Sequence, residues 1–173
     1  MLEDPEPWAE PVDGQALAQA IRDTFTRHIV LPPGAADALT LWVLHTHVFE
    51  AADYTPHLIV ISPVKRSGKM TTLRVLEELC SKSLKVEHAT TSAIFRCVEQ
   101  SQPTILLDEA DSFIGDNELL WDLLNSSFER GGGVLRVEGE DREPRRFCTF
   151  TPTALASIKD LPPPSWIGQS SSV

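Results

Sequence analysis

Residues 58–79 read Leu-Ile-Val-Ile-Ser-Pro-Val-Lys-Arg-Ser-Gly-Lys-Met-Thr-Thr-Leu-Arg-Val-Leu-Glu-Glu-Leu. The four apolar residues at the start predict a buried strand, the stretch through Gly68 and Lys69 a tight loop, and the remainder an amphipathic helix. Strand, loop and helix in unbroken succession are how a protein holds a nucleotide phosphate. The loop gathers several backbone N–H groups and the positive end of the next helix on one spot, and Lys69 adds a full charge there.

A second segment complements the first. Residues 104–111, Thr-Ile-Leu-Leu-Asp-Glu-Ala-Asp, predict an apolar strand that ends in carboxylates. In phosphate-loop ATPases such a strand end holds magnesium and orients an attacking water, which makes Asp108 the expected metal ligand and Glu109 the group that polarises water. The competing reading is a solvated acidic turn. Finding both halves in the right order weighs against it.

The loop departs from the pattern G-x-x-x-x-G-K-[ST] at two of its eight positions, which are Pro63, Val64, Lys65, Arg66, Ser67, Gly68, Lys69 and Met70. Pro63 replaces the first glycine, which is tolerable where that residue only shapes the turn. Met70 replaces the hydroxyl residue, and a thioether does not ligate a hard cation such as magnesium. Thr71 carries a hydroxyl about 100° further round the helix, too far to substitute without distortion. The expectation is a site that takes ATP on residues 63–71, with Mg2+ affinity and turnover reduced. A strand-turn-helix junction with an incidental Gly-Lys is the bland alternative.

Composition bounds the rest. The chain has 173 residues, 42% hydrophobic and 23% charged, as in an ordinary globular domain. Its formal charge of −10 argues against binding nucleic acid by charge alone. Lys65, Arg66 and Lys69, then Lys82 and Lys85, then Arg142, Arg145 and Arg146 are local exceptions. Cys80, Cys97 and Cys148 are widely spaced in apolar surroundings and read as small core residues in a reducing cytosol. No apolar run approaches the roughly 20 residues needed to cross a bilayer. Residues 1–13 are acidic and proline-rich, unlike a secretion signal, so a cytoplasmic location is expected.

The expected fold is α/β, a phosphate-loop core of the AAA+ or RecA kind: a mostly parallel sheet flanked by helices, with an N-terminal helical pair. Residues 1–12 read as a disordered lead, 13–54 as a helical segment packed on the core, 55–160 as the core, and 161–173 as a disordered, truncated tail. Asp13 caps the first helix, and a second over 35–52 is apolar nearly all round. Strands are expected over 58–61, 84–86, 104–107, 134–137 and 147–150, and helices over 68–80, 92–100 and 118–129. Residues 134–150 suggest a hairpin. Weaker candidates are Thr149 and Thr151 as sensors of the terminal phosphate, against threonines that simply suit a pleated strand, and Arg145 and Arg146 on DNA or a neighbouring subunit's nucleotide, against a solvated basic turn; His45 and His47, two apart on a helix, do not face each other and read against a metal pair.

Residues 41–47 (Leu-Trp-Val-Leu-His-Thr-His), 62–69 (Ser-Pro-Val-Lys-Arg-Ser-Gly-Lys), 106–111 (Leu-Leu-Asp-Glu-Ala-Asp) and Leu155-Ala156 together resemble a bacterial and phage domain of unknown function that accompanies primase and helicase modules. The similarity runs over about residues 30–162. It implies a helicase-like ATPase core acting in replication of mobile DNA, with DNA and replication proteins as partners and no membrane. In that family Pro63 is usual and Met70 is this chain's own departure. The family's arginine-finger segment has no counterpart after Leu161-Pro162, so an oligomer is expected only if a longer natural chain supplies it.

Two readings follow. The preferred one is an ATP-binding domain with weak or absent hydrolysis, in which Lys69 and Glu109 are the catalytic residues and Asp108 the metal ligand. The alternative is a degenerate, non-catalytic DNA- or protein-interaction module that keeps the fold. A kinase for a small acceptor is a third possibility, with no acceptor pocket to support it.

Overall fold

The computed structural model describes residues 6–61, 68–86, 90–108, 118–138 and 143–157. Asp13 opens helix α1 (Gly14–His28) by accepting from the backbone N–H groups of Gln15 at 2.9 Å and Ala16 at 3.3 Å, donors that a helix start leaves unpaired. Helix α2 (Ala35–Thr46) begins after Gly34 and a short 3-10 turn (Phe49–Ala51) follows it. The apolar run here predicts packing on nearly all sides. The helix instead buries Leu39, Trp42 and Val43 and leaves Leu41 67% exposed, so one side faces solvent. Helix α2 also stops short of residue 52, with the Thr46 hydroxyl donating to the Val43 carbonyl at 2.7 Å in its last turn.

The sheet has four parallel strands in the order β1 (Leu58–Ile61), β6 (Thr153–Ser157), β3 (Thr104–Leu107), β2 (Ser83–Val86). Helix α3 (Lys69–Leu79) connects β1 to β2, helix α4 (Thr91–Ser101) connects β2 to β3, and helix α5 (Glu118–Ser127) follows β3. A separate antiparallel ribbon, β4 (Gly133–Glu138) and β5 (Glu143–Cys148), precedes β6. The expected hairpin is therefore present, but the strand placed at 147–150 belongs to it, and the sheet is re-entered at β6. Phe147 points into the core beside Phe95, with ring centroids 6.1 Å apart, while Phe150 turns to Phe49 at 5.6 Å.

Alternation along the central strands divides the core in two. On one face Ile105, Leu107 and Leu155 meet Phe95 and Val98 of α4, Leu123 of α5 and Phe147. On the other, Leu106, Ala154 and Ala156 meet Phe25 of α1, Trp42 of α2, and Leu73 and Leu76 of α3. All residues of β3 and β6 are buried, as parallel strands covered on both faces must be. The small side chains of Ala154 and Ala156 let the first helical layer approach the sheet closely. At the edge, β1 leaves Ile59 and Ile61 exposed.

The helical segment before β1 shares this core. The Arg130 guanidinium binds the carbonyls of Glu50 and Ala52 and lies 5.4 Å from the Phe150 ring centroid. The cysteines divide. Cys80 is buried, and its thiol is pushed up to about 12 by burial, partly offset by the Thr46 hydroxyl. Cys148, by contrast, is exposed on the outer face of the ribbon, so the expectation of a core residue fails there. No helix among the described residues is long and apolar enough to cross a membrane.

Gly132 sits where α5 turns into the ribbon, and a Cβ there would overlap the backbone carbonyl oxygen of Ser126. Backbone cannot yield as a flexible side chain does. Gly132→Ala is expected to cost on the order of 2 kcal/mol, read as a lower urea midpoint with unchanged m-value. His57 gives a pH dependence. Its Nε2–H donates to the Leu124 carbonyl at 2.9 Å, while Nδ1 is sealed from solvent without a partner among the described residues. Burial lowers its pKa from 6.5, with the Leu124 bond acting the other way. The unfolded chain therefore takes up the proton first, so this contribution to stability is complete above pH 6.5 and lost as pH falls through the folded-state value. Urea midpoints at pH 7.5 and 5.5 should differ more for the natural chain than for His57→Gln.

Candidate functional site

The carboxyl edge of a parallel sheet is where loops and helix starts converge, and ligands of open α/β sheets bind in the crevice outside it. Gly68 stands at this edge with φ +93°, a left-handed conformation that suits a residue without Cβ. Its carbonyl accepts from the Thr72 N–H at 2.8 Å and from the Thr72 hydroxyl at 3.0 Å, which closes the first turn of α3. Lys69 is the first residue of that helix. Met70 is 51% exposed beside it. Pro63, Val64, Lys65, Arg66 and Ser67 lie outside the described residues.

Thr71 points away from this turn into a groove between α3 and α1, in agreement with its expected angular displacement from position 70. Thr72 is buried and its hydroxyl proton is committed to the Gly68 carbonyl. Neither threonine supplies the oxygen that Met70 lacks.

Asp108 follows β3 directly, and its backbone N–H reaches the Val86 carbonyl at 3.4 Å. Glu109 and Asp111 lie outside the described residues. The register pairs Leu107 with Leu155 and Ile61 with Ser157, so Asp108 stands level with Ala156 and Ser157 one step further along, beside the end of β1. With neighbouring strands about 4.8 Å apart, β6 separates the loop-bearing strand from the acid-bearing one by roughly 10 Å. Gly68, Lys69, Asp108 and Ser157 thus share one edge of the sheet.

Ser157 is the residue that sequence reasoning missed. It is fully buried and closes β6. The resemblance at Leu155-Ala156 pointed to its neighbourhood, but only strand pairing shows which end faces the crevice. Thr149 and Thr151 precede β6 and lie toward the opposite edge. Their hydroxyls donate to the carbonyls of Ser126, at 3.0 Å, and Pro103. Committed to these carbonyls, the two hydroxyls do not serve as sensors at the carboxyl edge.

The other weak candidates also resolve into structure. His45 Nε2 meets the Thr55 hydroxyl at 2.9 Å, and His47 Nε2 donates to the Leu79 carbonyl at 2.9 Å. No cluster of three metal-ligating side chains occurs among the described residues. Arg145 pairs with Glu99 at 2.8 Å and lies over Phe147, 5.0 Å from the centroid, while Arg146 binds the Gly131 carbonyl. Both arginines hold the ribbon in place.

The fold is α/β, with a four-stranded parallel sheet between two helical layers. No protein-family model matches the sequence, and no curated protein matches it.

The turn at Gly68 yields a mutational test. A Cβ there would find Ile29 Cγ2 at 3.5 Å, an ordinary contact, so the cost of substitution is backbone strain rather than crowding. Gly68→Ala should destabilise the chain by about 1–2 kcal/mol, and Gly68→Asn by less, since Asn tolerates the left-handed region better. Urea unfolding of the two variants checks the order.

Proposed function

We propose that this chain is a phosphate-loop domain that binds ATP through its phosphates and hydrolyses it slowly or not at all. The observation that carries the reading is the placement of Lys69 and Asp108 at one carboxyl edge, with β6 between their strands. That strand order is the one expected of additional-strand ATPases of the helicase and AAA+ kind. The first-turn amides of α3 and the Lys69 ammonium offer an anion a charged, directional seat, which makes phosphate the fitting ligand. Residues 63–67, which lie outside the described residues, are assigned to the same phosphate site in this reading.

Magnesium fits the described residues poorly. Asp108 offers a carboxylate, but Met70 offers sulfur, Thr71 faces the neighbouring groove and Thr72 is engaged with Gly68. Phosphate-loop ATPases hold the cation with a hydroxyl from the first turn of the loop helix as well as with the acid strand. Phosphate binding in this chain therefore rests on Lys69 and backbone N–H groups rather than on a bridging metal. Ser157, buried at the end of β6, stands in register between the two halves, and Glu109 is the group assigned to polarising water. Met70 is also the observation that favours the second reading, a non-catalytic interaction module. DNA and replication proteins as partners, and a cytoplasmic setting, belong to the same proposal through the family resemblance.

Calorimetric titration with ATP, with and without Mg2+, tests it. The expected result is binding in both conditions with little dependence on the metal, and at least about a tenfold loss in Lys69→Ala, equivalent to ~1.4 kcal/mol. Met70→Thr should restore metal dependence and raise single-turnover hydrolysis. Absence of ATP binding in both conditions overturns the nucleotide reading and leaves the interaction module.

A further inference from the structure

Residues 53–57 cross from the N-terminal helices to β1 and are fastened on both sides. From α2, the Trp42 Nε1–H donates to the Pro56 carbonyl at 2.9 Å, and His45 Nε2 meets the Thr55 hydroxyl at 2.9 Å. The end of α5 and the turn after it hold the other side. The Thr55 N–H donates to the Phe128 carbonyl and the Arg130 N–H to the Asp53 carbonyl, both at 2.8 Å, while the Tyr54 and Phe128 rings stack with centroids 6.3 Å apart. His57 is the last fastening before β1. Its Nε2–H donates to the Leu124 carbonyl at 2.9 Å, and the Ser127 hydroxyl lies 3.4 Å from the same nitrogen.

We propose that residues 53–57 form an acid-released strap, closed while His57 is neutral and opened locally, ahead of the rest of the fold, when its ring takes a second proton. The neutral ring needs only one N–H to satisfy the closed geometry. A proton on Nδ1 adds a second donor at a position sealed from solvent, with no acceptor among the described residues. The groups that titrate or carry charge on the surrounding elements are His45 on α2, Glu50 on the 3-10 turn, Asp53 and Tyr54 on the strap, Asp122 on α5, and Glu129 and Arg130 beyond it. Arg130 is occupied by the carbonyls of Glu50 and Ala52 and lies 3.7 Å from Asp53. None of these charges sets the state of His57: burial lowers its pKa from 6.5, and the Leu124 bond opposes this. Burial lowers His45 as well. An open strap returns His57 to its ordinary value, so the open form takes the proton first and opening grows as pH falls through 6.5 toward the folded-state value. Between pH 7.5 and 5.5 one such group can favour opening by at most about tenfold.

Amide exchange at these two pH values, corrected for the intrinsic rate, tests the strap at Thr55 and Arg130. The Ile105 amide, which donates to the Pro152 carbonyl at 2.9 Å inside the sheet, is the reference. Protection of Thr55 and Arg130 should be several-fold lower at pH 5.5, and both should respond weakly to sub-denaturing urea where Ile105 responds steeply, because a local opening exposes little surface. His57→Gln keeps a donor for Leu124 and has no proton to gain, so it should remove most of the pH response. Thr55 and Arg130 following urea as steeply as Ile105 means global unfolding and overturns the strap. An absent pH response, one undiminished in His57→Gln, or one abolished by His45→Gln alone overturns the role of His57. The His57 Cε1–H resonance of the natural chain needs no variant, and titration at or above pH 6.5 in the folded state likewise overturns it.

Discussion

Strand β6 is paired on both sides, to β1 through four residues and to β3 through three, and every one of its side chains is buried. Its position forces the strand carrying the Gly-Lys turn and the strand carrying Asp108 apart by one strand's width, and aligns their ends. It also sets the thickness of the molecule on one side. Ala154 and Ala156 present almost no side chain to the first helical layer, so α3 can lie close enough for Leu73 and Leu76 to become fully buried.

Electrostatics at this edge are sparse. The chain carries a net charge of −10, yet the described edge sets a lysine and a helix start against a single described carboxylate on the neighbouring half. Local arrangement, not overall charge, sets the potential at this edge. The same economy explains why one side chain matters so much. Thr71 lines the groove beside α1 and Thr72 is engaged with the Gly68 carbonyl, which leaves Met70 as the exposed side chain next to Lys69.

The segments most legible in the sequence were those whose side chains serve one purpose. Leu58-Ile-Val-Ile and Thr104-Ile-Leu-Leu are apolar runs bounded by turn residues, and both are strands with the expected limits. Asp13 was legible as a cap because its oxygen satisfies donors two and three residues away. By contrast β6 was obscured by its alanines, whose small size serves helix packing while weakening the strand signal. Ser157 could not be recognised before its strand was known to point that way. The two threonines weakly weighed as sensors are buried for a different reason, to satisfy carbonyls of Ser126 and Pro103. Exposure of Cys148 was equally illegible, because it depends on which face of the ribbon turns inward.

The contrast among the thiols has a practical corollary. Cys80 is walled in, with burial holding its thiol well above the usual range, Cys97 is half-covered, and Cys148 faces solvent across from Gly133. Alkylating reagents will therefore sort these positions by accessibility, with the ribbon first. A fluorophore attached there would report on the outer face of β4 and β5 while leaving the crevice chemically untouched.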